Sequence, residues 1–178
     1  MKLPPIRLCA ALAAMLSAAS VGQSPPQMPR IAGESFAGHK VELPGAARGH
    51  IAVLIFGFTK ASKTPTSAWA ERLRSDFGDQ MGFAFYQLPV LEDVPRIIRG
   101  MVISGMKKGM PASMRDHFVP ILEGEAELKR LVGYQEADDA YIVLLDRSGE
   151  IVGQRHDSFS DPGYRQLQSE IVALGNRK

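Results

Sequence analysis

Two textures alternate along the chain. His50 to Phe58 (HIAVLIFGF), Met81 to Val90 (MGFAFYQLPV) and Ala140 to Leu145 (AYIVLL) are nearly unbroken apolar runs of strand-favouring residues, the pattern of central strands covered on both faces. Between them apolar positions recur at helical spacing. Trp69, Ala70, Leu73 and Phe77 predict a helix over Thr66 to Phe77, stopped by Gly78. Pro95 to Met106 predicts a second helix with proline at an early position, and Glu125 to Leu131 a short third ended by Gly133. Asp161 to Leu174 predicts a closing helix, with Asp161 as cap, Pro162 at the first position, and Tyr164, Leu167, Ile171 and Leu174 on one face. Weaker signals fill the gaps. Phe36 to Leu43 reads as an edge strand or hairpin, Pro111 to Asp116 as a helical turn, and His117 to Leu122 as a strand kept near an edge by Pro120. Asp146-Arg147-Ser148-Gly149 turns the chain into Glu150 to Gln154, a hairpin.

The order is strand–helix–strand–helix, an insert, then strand–strand–helix. It predicts an α/β structure with a mixed central sheet between helical layers. Ahead of it, Lys2 and Arg7 precede the apolar run Leu8 to Ser20, which reads as a signal peptide over residues 1–22. Residues 23–35, opening with the Pro-rich Gln23 to Arg30, read as a linker, and residues 36–178 as one domain. The expected location is the periplasm or the cell exterior.

Charge narrows the partners. Loss of Lys2 and Arg7 with the leader takes Lys+Arg from 21 to 19, against 19 Asp+Glu. A neutral domain has no basic field for nucleic acid. The single cysteine, Cys9, lies in the leader, so the processed chain is expected to hold no thiol, disulfide or cysteine metal site. The four histidines (His39, His50, His117 and His156) are scattered, with no metal-ligand spacing, and no cofactor is expected.

Phe56 to Trp69 (FGFTKASKTPTSAW) and Tyr141 to Gly149 (YIVLLDRSG) resemble two landmarks of the thioredoxin superfamily. The first resembles the core strand and helix start where peroxiredoxins, periplasmic thioredoxins and copper-delivering oxidase assembly proteins carry reactive groups. The second resembles the strand and hairpin after the superfamily's cis-proline. The resemblance implies a three-layer thioredoxin-like fold. It places the cysteine positions near Ala61 and Thr64 and the proline position at Ala140, so both marks of redox function are missing. Thr64 as a nucleophile would need a neighbouring base. Its ordinary role is a helix-start hydroxyl ahead of Pro65.

Three further segments resemble the cysteine-less mitochondrial ATP synthase assembly factor ten. Phe58 and Trp69 stand eleven apart with Ser67 before the Trp, Arg99 to Phe118 reads RGMVISGMKKGMPASMRDHF, and Gly133 to Arg147 reads GYQEADDAYIVLLDR. This chain has Thr59 where that family tends to have Arg. The resemblance implies a non-catalytic chaperone that helps a membrane subunit assemble.

Met101, Met106, Met110 and Met114 fall within fourteen residues, interleaved with Lys107 and Lys108. Three uses fit: core filling, an adaptable surface for an apolar protein partner or a membrane edge, and soft ligation of Cu(I). Trp69 is either core or a surface anchor. The expected partner surface comprises Met101, Met106, Lys107, Lys108, Met110, Met114 and Trp69, and its partner is a protein, with an apolar membrane-protein segment as one form and peripheral membrane contact as another. The acids Glu123, Glu125, Glu127, Glu136, Asp138 and Asp139 read as a solvated face. The leading function is an exported binding module without enzymatic activity. The alternatives are a divergent peroxiredoxin or thiol oxidoreductase and a copper-binding assembly protein.

Overall fold

A computed structural model describes residues 27–177. The stretch read as a signal peptide and the start of the stretch read as a linker lie outside the described residues.

The three apolar runs become strands β3 (Ile51–Gly57), β4 (Phe83–Pro89) and β5 (Ala140–Leu145). Every residue of β3 and β5 is buried, as expected of strands with both faces covered. With β6 (Ile151–Asp157) they form a four-stranded sheet in the order β4-β3-β5-β6. β3 pairs parallel with β4, while β5 runs antiparallel to both β3 and β6. The sheet is therefore mixed, with the two longest apolar runs at its centre or beside it.

The helices are α1 (Lys63–Phe77), α2 (Arg96–Lys108), α3 (Glu125–Leu131) and α4 (Asp161–Gly175). Side-chain alternation along β3 supplies two cores. Ile51, Val53 and Ile55 meet Trp69, Ala70, Leu73 and Phe77 of α1 and Tyr164, Leu167 and Ile171 of α4. Ala52, Leu54 and Phe56 meet Leu128 of α3 and a small hairpin below it. That hairpin joins β1 (Ile31–Glu34) to β2 (Lys40–Leu43). β1 falls inside the stretch read as linker: buried Ile31 and the pairing with β2 make Ile31–Glu34 part of the folded unit.

Other details differ from the reading. The cap of α4 is Ser160, whose Oγ accepts from the Gly163 amide at 3.2 Å, and Asp161 is the first helical residue. α1 starts a turn earlier than its apolar spacing indicates. The segment around His117 to Leu122 is not a full strand. It makes two isolated parallel bridges, Phe118 with Gln87 of β4 and Ile121 with Val90 just after it, and so shields that edge.

Candidate functional site

The junction between β3 and α1 is where the sequence directs attention. Gly57 ends the strand with helix α1 close against it: a Cβ there would come within 2.7 Å of Ser62 Oγ and 3.1 Å of Thr66 Cγ2. The loop Phe58–Ser62 is held by hydroxyls. Ser62 Oγ donates to the Thr59 carbonyl at 2.8 Å, and the Ser62 amide donates to Thr59 Oγ1 at 3.2 Å. Thr59 Oγ1 in turn donates to the Ala137 carbonyl at 2.9 Å, strapping the junction to the loop before Ala140. Buried Thr66 donates to the Ser62 carbonyl at 2.8 Å and accepts from Gln87 Nε2 of β4 at 3.1 Å.

The loop after β3 and the loop before Ala140 are thus tied together by Thr59. The hydroxyl protons of Thr59, Ser62 and Thr66 are each donated to a backbone carbonyl. Thr64 lies in the first turn of α1 and is exposed. His156 is engaged elsewhere, 3.1 Å from Asp139 and stacked on Tyr141. His117 stacks on Phe85 at 4.1 Å and faces the Phe85 carbonyl, and His39 meets Asp116 at 2.7 Å. Among the described residues no group of three or more His, Cys, Asp or Glu could hold a metal ion.

Sequence reasoning passed over Ser62, Thr59's strap and Gln87. A signal existed for the last: a glutamine inside a buried-type strand must find a hydrogen-bond partner, and the nearest hydroxyl on α1 supplies it.

Beside the junction, Phe58 packs edge-on to Tyr134 and Tyr141 at 5.1 and 5.5 Å. Lys129 Nζ lies 4.7 Å from the Tyr134 ring centre and pairs with Glu125 at 2.5 Å. The hydrogen bond to Glu125 raises the Lys129 pKa above its ordinary value. Glu125 is buried, at 6% exposure. This corrects its reading as part of a solvated acidic face, and Asp139 is half-buried beside His156.

The methionine segment divides. Met114 is buried and Met110 half-buried, both against the core under α1. Trp69 is fully buried, 5.3 Å from Phe159 and 6.0 Å from Tyr164. Neither Trp69 nor Met114 presents a surface to a partner. Met106 is half-buried, while Met101, Lys107 and Lys108 are exposed on α2.

Compared with solved structures, the chain is similar to BsSco, a member of the Sco family of cytochrome c oxidase assembly proteins. Identity is 12%, TM-score 0.60, with 86% of this chain and 96% of that one covered. The fold is thioredoxin-like. A candidate thiol:disulfide interchange protein DsbE from Chlorobium tepidum aligns at 18% identity and TM-score 0.58 over 85% of this chain and 97% of its own. Yeast Sco1 with copper bound aligns at 13% and 0.55 over 85% and 96%. No protein-family model and no curated protein matches the sequence. In this fold α2 lies between β4 and α3, and among the described residues no helix is long and apolar enough to cross a membrane.

Proposed function

We propose that this chain is an exported thioredoxin-like binding module without thiol chemistry, acting on a membrane-protein partner as an assembly factor or chaperone does. The observation that carries the reading is the junction itself. Around Ala61 and Thr64, where the resemblance places reactive sulfur, this chain has no thiol: Thr64 is exposed, and the flanking Thr59, Ser62 and Thr66 hydroxyls have their protons committed to carbonyls. A hydroxyl without an adjacent base is a poor nucleophile at neutral pH. Three segments similar to the ATP synthase assembly factor ten family, itself cysteine-less, add support. The contact surface narrows to the exposed side of α2, on Met101, Lys107 and Lys108.

The purified chain is expected to reduce no insulin and consume no peroxide. Turnover abolished by Thr64→Ala would overturn the reading. A photo-crosslinker at position 101 in native envelope is expected to join α2 to a specific protein.

The likeness to the Sco proteins favours a second reading, Cu(I) binding by thioethers. Against it, the four methionines are divided between core and surface. Cu(I) titration is expected to find no site tighter than micromolar, and a tighter site lost in Met106→Leu with Met110→Leu would replace the first reading.

A further inference from the structure

Helix α2 is the helix that the body holds least. None of its residues is buried. Arg99, Val102, Ile103 and Met106 are half-buried and turn toward the body, while Ile97, Ile98 and Met101 turn away, at 98%, 44% and 75% exposure. Spacings of three and four residues put these three on one side of the helix. The charge on α2 is of one sign: Arg96, Arg99, Lys107 and Lys108, with no acid. Arg99 donates to the carbonyls of Glu92 and Val94. Arg96, Lys107 and Lys108 remain exposed, flanking the apolar trio at the two ends. The nearest preceding acids face α3 instead. Glu92 Oε2 accepts the Glu125 amide at 2.6 Å, and Asp93 lies in the field of Lys129.

We propose that the outer face of α2 lies on an anionic phospholipid surface, with Ile97, Ile98 and Met101 in the acyl boundary and Arg96, Lys107 and Lys108 among the headgroup phosphates. The inference rests on α2 being the contact surface of the binding module and names what covers its outer side. Charge complementarity selects a bilayer of negative sign, since cations at both ends of an apolar stretch match headgroups on either side of it. Shape points the same way. The trio stands on a convex helix face, and two grooves of the described residues, around Arg147 and along the β1–β2 hairpin, lie away from it. A protein would have to supply its own groove, whereas a bilayer needs no complementary shape. Three apolar side chains are too little to hold a domain on lipid unaided, so binding must depend on lipid charge and on salt.

The test is co-sedimentation of the full chain with vesicles of phosphatidylcholine alone, or with about a third phosphatidylglycerol, at low and high salt. Expected is retention on the anionic vesicles only, reversed by salt. It should fall by at least about tenfold in Lys107→Glu with Lys108→Glu and by about tenfold in Ile97→Ser with Met101→Ser. Both variants should keep the wild-type unfolding midpoint, because none of the four side chains is buried. Equal retention on neutral vesicles, no retention on either, or retention unchanged by both variants would overturn the proposal. The last outcome would assign binding to the apolar run Leu8 to Ser20, which every variant shares. If vesicles fail but the crosslinker at position 101 captures one specific protein, this inference falls and the binding-module reading stands. If vesicle binding behaves as expected and no protein is ever captured, the reverse holds.

Discussion

Asp157 sits at the end of β6 with its Oδ1 buried and without a hydrogen-bond partner. Burial, and then the neighbouring Asp139 carboxylate, push its pKa above the ordinary 3.8. A raised folded-state value favours the protonated form. The stabilisation it brings is complete below 3.8 and is lost as pH rises through the folded value. At neutral pH the ionised group therefore weakens the fold. Asp157→Asn is expected to gain a few tenths of a kcal/mol at neutral pH in urea denaturation, and the gain should disappear on acidification toward the ordinary carboxylate range. Thr66 makes the opposite case. Its hydroxyl joins Gln87 to the Ser62 carbonyl inside the fold, so Thr66→Val leaves a buried amide unpaired and should cost about 1–3 kcal/mol. Thr64→Ala, on the exposed turn beside it, should stay within about 0.5 kcal/mol. The same denaturation curves measure both. Reversed magnitudes would mean that Thr64, and not the Thr59–Ser62–Thr66 chain, organises the junction.

At the scale of elements, burial divides the helices. α1 and α4 each set a row of buried apolar residues on one face of the sheet, whereas α2 buries none and carries Gly100 and Gly105 in its interior. Both glycines face open space, so alanine fits at either position, and each replacement should strengthen the helix by about 0.5–1 kcal/mol. Native-state hydrogen exchange should find α2 amides less protected than those of β3. Gly100→Ala with Gly105→Ala should raise α2 protection while leaving it below that of β3. This contrast also marks what could be read from the sequence. β3 and β5 were legible because an apolar run with no helical period has one natural home, a doubly covered sheet, whereas β4, read the same way, is the outer strand of the sheet and four of its seven residues are only half-buried. α3 was legible because Gly133 ends it. β1 was not, because Ile31 is its only buried residue and a Pro-rich stretch precedes it. Nor could spacing sort Met101 from Met114. Both lie in one methionine-rich stretch, and which of them meets the body depends on how the insert folds back through the 3-10 turn at Ala112–His117. The junction was legible as a place without sulfur, but its hydroxyl strap was not, since Thr59 and Ala137 are brought together only by the tertiary fold.

At the scale of the molecule, two cores share one sheet, and neither face can come apart without disturbing the other. β3 and β5 give alternate residues to each: Leu54, Tyr141 and Val143 to the side under α3, Val53, Ile55 and Ile142 to the side under α1 and α4. The only tryptophan, Trp69, lies wholly in the second core, walled by Phe159 and Tyr164. It reports on a face that Leu54 does not touch. Leu54→Ala removes buried volume from the first core and should destabilise the protein by about 2–5 kcal/mol. If the central strands couple the faces, Trp69 fluorescence must follow that loss in full, with a urea midpoint that moves together with the far-ultraviolet circular dichroism midpoint. Coincident shifts are expected, because each strand that would have to separate is hydrogen-bonded through the centre of a single sheet. A Trp69 transition that stayed at its wild-type midpoint while the circular dichroism shifted would mean that the α1–α4 face folds as its own unit. In that case the module would be two half-domains joined along β3 and β5, and α2 would hang from the weaker one.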